Sequence, residues 1–243
     1  FLVTILFGGR RGGLSFIGLL GSIAVIMWFI IPRILNGASP LPTLLVGTLG
    51  IAGISMFLAH GFRARTTVAL VCTMMSIALS YTLSLLFLKI TSLTGMGSEE
   101  AFYLQFSDMG SIDARGLLFG GILLGVLGVL DDITTAQTAA VEEIHKANPT
   151  LNQRELFVRG SSVGKEHISS LVNTLVLAYV GASIPLLLLF FIYPRPLWVT
   201  LNSELLMEEM IRTLVGSFTL ILTVPLTTYL ASTWFSRHPT KPV

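Results

Sequence analysis

Apolar runs of about 20 residues recur along the whole chain, separated by shorter polar connections. At ~1.5 Å per residue, each run matches the roughly 30 Å hydrocarbon core of a bilayer. The pattern predicts an all-α polytopic transmembrane helix bundle in a single domain over 1–243. Six complete spans fall near 14–32, 43–59, 66–88, 116–136, 168–192 and 210–233. The runs are continuous and do not alternate, which excludes a membrane β-barrel. Phe1–Phe7 is also apolar and stops at Gly8-Gly9-Arg10-Arg11. It reads as the end of an earlier span, so a preceding helix and a further domain are expected.

The connections carry their own signals. Residues 136–167 read as a loop at one membrane face, broken at Asn148-Pro149 because proline disfavours helix in the residue before it. Thr150 with Gln153, or Asn152 with Glu155, then makes a capping-box pattern. A short amphipathic helix near 151–159 would bury Leu151, Leu156, Phe157 and Val158 at the membrane surface, with Gly160 ending it. On the opposite side, the 89–115 connection holds Glu99, Glu100, Asp108 and Asp113. Ser98 followed by two glutamates predicts a helix start near 98–107, with Phe102, Tyr103 and Phe106 at the interface. Tyr193-Pro194-Arg195-Pro196 and Trp198 are further interface residues, and Asn202 or Ser203 is placed to cap the last span.

Composition strengthens this picture. Of 243 residues, 53% are apolar and only 12% charged, against roughly 25% charged in soluble domains. The net charge of +2 gives no ground for a nucleic-acid partner, and Cys72 has no second cysteine to pair with. The connections at Gly8–Gly13, 60–65 and 136–167, with the C-terminal tail, hold ten of the Lys and Arg residues, whereas the alternate connections hold five. By the positive-inside rule the richer set, and the C-terminus, face the cytoplasm. The expected location is the bacterial cytoplasmic (inner) membrane, with the lipid bilayer as the first partner.

Chemistry concentrates between Gly116 and His145. A helix starting at Gly116 reaches Asp131 after about 22 Å, within the inner part of the hydrocarbon. Ionised carboxylates there cost several kcal/mol unless paired, protonated or wetted. Adjacent residues point ~100° apart, so Asp131 and Asp132 need not share a role. Asp131 shares one face with Gly121, Gly125, Gly128 and Thr135; Asp132 looks toward Thr135 and Ala136. Three roles fit the pair: wetted residues ending the span, a solute or ion site open to the cytoplasm, or a polar network with a neighbouring helix. The next span enters with His167, Ser169, Ser170, Asn173 and Thr174 at matching depth. Asn173, with donors and acceptors both, is the natural partner for an aspartate, and Ser170 lies beside it. Gly121, Gly125 and Gly128 have the small-xxx-small spacing of close helix packing. Thr219, Thr223, Thr227 and Thr228 flank Pro225, where hydroxyls can satisfy the carbonyl that proline frees.

Other motifs fail. Gly160-Ser161-Ser162-Val163-Gly164-Lys165 has the wrong glycine spacing for a phosphate loop, with no hydroxyl residue after the lysine. Asp131-Asp132 suggests a magnesium-binding DDxxD element, but Thr135 stands where the third carboxylate belongs. Glu143 lies about 16 Å away along a helix. His60, His145, His167 and His238 form no metal-binding pair. No metal, cofactor or catalytic residue is therefore assigned.

The segment Ala147-Asn148-Pro149-Thr150-Leu151-Asn152-Gln153-Arg154-Glu155-Leu156-Phe157, then Gly160, then Asn173-Thr174-Leu175-Val176-Leu177-Ala178-Tyr179-Val180-Gly181-Ala182-Ser183-Ile184-Pro185, resembles the YibE/F-like family of bacterial multi-pass membrane proteins. The Arg10-Arg11 turn, His60-Gly61-Phe62 and Leu201-Asn202-Ser203-Glu204 are similar too. The resemblance implies a bundle of about this many spans, often preceded by an N-terminal anchor and an extracytoplasmic domain. It implies no settled activity, so it supplies no catalytic residues. The expected function is that of a permease or transporter for a small solute or ion, with Asp131, Asp132, Thr135, Asn173 and Ser170 at its site. The alternative is a non-transporting subunit or scaffold of a cell-envelope complex, with an envelope protein or a second copy as partner. A metal-dependent intramembrane enzyme ranks third, because the third carboxylate is missing.

Overall fold

The computed structural model describes residues 2–106 and 112–238, omitting the side chains of 2–6, 8, 10 and 11. Asp108, Lys241 and the side chains of Arg10 and Arg11, used in the sequence reading, lie outside the described residues. The described chain is helical, in the order α1 (Leu2–Val25), a π-helical turn (Ile26–Ile30), α2 (Ile31–Leu35), α3 (Pro40–His60), α4 (Ala64–Thr91) and α5 (Glu99–Gln105), then α6 (Ala114–Ala147), α7 (Gln153–Ala182), α8 (Ile184–Ile192), α9 (Leu197–Leu201) and α10 (Glu204–Arg237). No strand occurs among the described residues.

Five stretches are long and apolar enough to cross a membrane: Gly12–Leu35, α3, α4, α6 and α10. The α7–α8 pair, bent by 53° at its break, makes a sixth. Five of the six predicted spans are thus present, and the sixth is matched if the bent pair is counted as one span. Local chemistry sets their ends. Gly9 breaks α1 with φ 54°, and the π turn sits just before Pro32, whose ring nitrogen cannot continue the α ladder. Gly61 ends α3 at φ 74°. Ser183 breaks α7 from α8 two residues before Pro185.

Helix α6 is the centre of the bundle, touching α3, α4, α7 and α10, while α1 packs along α3. Leu118, Phe119, Ile122, Leu123, Val126, Leu127 and Leu130 of α6 are buried in the main core. A second, smaller core holds Val68, Cys72, Val141, Leu151, Leu156, Ala231 and Phe235. Beside it, Glu142 pairs with Arg65 at 3.4 Å and Lys146 at 3.2 Å. This is the basic end of the bundle.

That end corrects one expectation. Residues 136–167 are not a loop with a separate short helix. They are the ends of two long helices joined by residues 148–152. The Asn152–Glu155 capping box does form, but it starts α7 itself, and α7 runs straight through Gly160. The glycine allows close approach here and does not terminate the helix. A Cβ at Gly160 would lie 2.9 Å from Thr228 Cγ2 and 2.9 Å from Val141 Cγ2. Leu156 is accordingly buried in the second core, not laid on a membrane surface.

At the opposite end, Ser98 caps α5 as predicted, its Oγ accepting from Ala101 N at 3.2 Å. Phe102, Tyr103 and Phe106 are exposed. Ser203 occupies the N-cap position of α10 without making a capping bond. Its neighbour Glu204 instead holds the connection after α4. Glu204 Oε1 accepts from Thr94 N (2.6 Å), Thr94 Oγ1 (2.7 Å) and Gly95 N (2.8 Å), and Glu208 Oε1 accepts from Gly97 N at 3.0 Å. Gly95 has φ 83°, and a Cβ there would run into the Ala114 carbonyl. Glu204→Ala leaves these donors to water and is expected to cost about 1–2 kcal/mol. Amide hydrogen exchange is expected to speed up at residues 94–97 first; unchanged exchange there would show that Glu204 is not the clamp.

Candidate functional site

Asp131 sits near the middle of α6, on its flank toward α1 and α3. Two glycines of α1 bring those helices together: a Cβ at Gly18 would lie 3.5 Å from the Ser55 carbonyl oxygen, and one at Gly21 would lie 3.0 Å from Ile54 Cγ2. At that crossing Ser55 Oγ donates to Asp131 Oδ2 at 2.7 Å. Asp131 Oδ1 is inaccessible and has no protein hydrogen-bond partner. The carboxylate borders a cavity of about 260 Å³ between α1, α3 and α6. Ser15, Ser22 and Ser55 are its other polar residues, and Leu19, Ile26, Ile51, Leu124 and Leu127 make most of the rest of the wall.

The other expected members are dispersed. Asp132 is exposed on the adjoining face of α6. Thr135 Oγ1 is buried without a protein partner, and Thr134, not Thr135, bonds across to α4, at 2.7 Å from Thr73 Oγ1. Ser170 and Asn173 lie on the exposed face of α7. Among the described residues no hydrogen bond joins either to an aspartate. Their expected match to Asp131 rests on height along the helices alone, and the rotation of α7 turns them to its exposed face. The polar contact between α6 and α7 belongs to Gln137, about 120° round the helix from Asp131. Its Nε2 donates to the Gly160 carbonyl at 2.8 Å and to Thr228 Oγ1 at 2.7 Å, joining α6, α7 and α10.

The glycine expectation is corrected likewise. Gly121 and Gly128 face open space, and Gly125 would meet only Tyr179 Oη at 3.4 Å. Close packing of α6 falls on Gly116 and Gly120, and that of α7 on Gly160 and Gly164. The open stripe flanks the Asp131 cavity, which Gly128 lines. In α10, Thr223 donates to the Thr219 carbonyl and Thr228 to the Val224 carbonyl, both at 2.7 Å. Neither serves Ile221, whose carbonyl Pro225 leaves free. Thr219, Thr223 and Thr227 of α10 are buried, as are Ser76, Ser80 and Ser84 of α4; the two helices pack together with Thr227 beside Cys72, so their interface is a hydroxyl-rich seam.

The site can bind a proton, a cation or a hydrogen-bond donor at Asp131, with serine hydroxyls to orient it. Among the described residues no group of three His, Cys, Asp or Glu side chains is arranged to hold a metal. The order of spans, the Asn152–Glu155 start of α7 and the Pro185 break all match the segments that carried the family resemblance. The family model for YibE/F-like proteins matches residues 1–237. The chain belongs to the YibE/F-like family. Comparison with curated proteins and with solved structures gave no match. In this YibE/F-like protein Ser55, Gln137 and Glu204 escaped sequence reasoning. Ser55 is one hydroxyl in an apolar helix, Gln137 lies one residue past the predicted span, and Glu204 resembles any helix-starting carboxylate.

Proposed function

We propose that this YibE/F-like membrane protein is a permease of the bacterial inner membrane, with its C-terminus in the cytoplasm, that moves a small solute or ion. Asp131 is its proton- or cation-sensitive group. One observation carries the reading: a carboxylate in the middle of a span borders a cavity and keeps one oxygen without a partner. Such a group is costly in hydrocarbon and calls for a ligand, a proton or water. Ser55 holds the carboxylate, and Ser15 and Ser22 supply hydroxyls to what enters. Purified protein in proteoliposomes, offered a panel of metal cations, anions and small metabolites, is expected to move at least one of them down an imposed proton gradient. Asp131→Asn is expected to slow that flux about a hundredfold, the lower end of the range for a lost general acid–base group. Absence of flux across the panel for the wild type would sink the proposal.

A second reading, a scaffold subunit of an envelope complex, draws on the exposed aromatic cluster at α5, where the Phe102 and Phe106 rings meet at a 50° tilt with centroids 4.7 Å apart. It predicts a partner that co-purifies with wild type and with Asp131→Asn alike, and that is lost when Phe102 and Phe106 become serine.

A further inference from the structure

We infer that the groove between α7 and α10 is a binding site for one anionic phospholipid of the leaflet at the basic end. The groove encloses about 670 Å³. Its polar lining consists of Ser161, Ser162 and Lys165, all on α7, and it includes no carboxylate. Ser161 Oγ is inaccessible and has no protein partner. Lys165 is exposed and makes no ion pair among the described residues. Glu166, the nearest acid in sequence, lies ~100° further round the helix and outside the lining. An accessible hydroxyl, that of Ser162, and an unpaired ammonium, in a lining with no carboxylate, select an anion.

Depth and the remaining wall select a lipid. Gly164 packs against Gln137 and Val224, so Lys165 stands level with the Gln137 turn of α6. That turn is about 8 Å along the helix from Glu142 and its Arg65 partner, which mark the end of the bundle. A lysine stem reaches from such a depth to the headgroup zone. Deeper along the groove Ile168 and Ile221 present an apolar track for an acyl chain. The phosphate therefore meets the exposed Lys165 and Ser162, and the chain runs toward the bilayer centre. Exposed Arg154 and Arg159 lie on the same stretch of α7 and add to the field.

Native mass spectrometry of the detergent-purified chain, titrated with phosphatidylglycerol, phosphatidylethanolamine or inorganic phosphate, tests this. Phosphatidylglycerol is expected to bind about fivefold more tightly than phosphatidylethanolamine, the usual contribution of one basic residue. Lys165→Gln is expected to erase that preference, and Lys165→Arg to retain it. Lys89→Gln, a change at an exposed lysine at the other end, is expected to leave it intact. Equal affinity for the two lipids in wild type, or an unchanged preference in Lys165→Gln, overturns the inference. So does competition by inorganic phosphate at the same concentration, which would mark a soluble-anion site.

Discussion

Gly120→Ala is expected to lower the stability of the bundle by about 3 kcal/mol, the upper part of the range for an overpacked core. The same change one residue later, at Gly121, is expected to cost nothing. A Cβ at Gly120 would lie 2.6 Å from Leu44 Cγ, and closer still to Leu44 Cδ1. Leu44 is buried on α3 and cannot swing clear, so α3 and α6 must part. Since α6 is the hub, that displacement disturbs the seats of α4 and α10 as well. At Gly121 a Cβ meets nothing within 4 Å, and alanine is the better helix former by roughly 1 kcal/mol. Unfolding of the two variants in mixed detergent, followed by loss of helical signal, separates them. Equal midpoints would mean that α3 does not lie on Gly120.

The second large effect is expected at Gln137. Gln137→Leu keeps the bulk but removes both bonds of the three-helix tie, and should cost about 2 kcal/mol at roughly 1 kcal/mol per bond. Bonds between membrane helices often contribute less than this. Gln137 is a favourable case because it is fully buried and bridges two partners at once. The double-mutant cycle with Thr228→Val isolates one of the two bonds, with a coupling of about 1 kcal/mol expected. Additive losses would show that the Gln137 amide does not use Thr228. Asp131→Asn should leave this stability measurement nearly unchanged, because Ser55 can still donate to the amide oxygen. Flux and folding then report on different residues.

These residues also mark how far the sequence could be read. The spans were legible because an unbroken apolar run of membrane length has few alternatives. Asp131 was legible because a carboxylate inside such a run is expensive. Its partner was not. Residue spacing gives height along a helix, and Asn173 has the right height, but the rotation of α7 about its axis follows from where Gly160 and Gly164 seat against α10 and α6. Gly160 itself was ambiguous: glycine ends helices and also lets them touch, and only the presence of Thr228 and Val141 opposite decides. The same ambiguity misassigned Gly121, Gly125 and Gly128, whose spacing suits packing although no backbone lies close against them and only the tip of Tyr179 approaches Gly125. Ser55 was hidden for the opposite reason, since a single serine in an apolar span usually bonds back to its own helix.

The hydroxyl-rich seam between α4 and α10 has a consequence for how the protein is made. Ser76, Ser80 and Ser84 emerge from the ribosome well before Thr219, Thr223 and Thr227, the residues of α10 that share the seam with them. At ordinary translation speeds that delay is on the order of ten seconds. Through that interval α4 sits in the bilayer with its hydroxyl face uncovered by α10. The nascent bundle is therefore closed by its last helix, and a chain that stops short of Glu204 keeps the polar face of α4 permanently open to lipid.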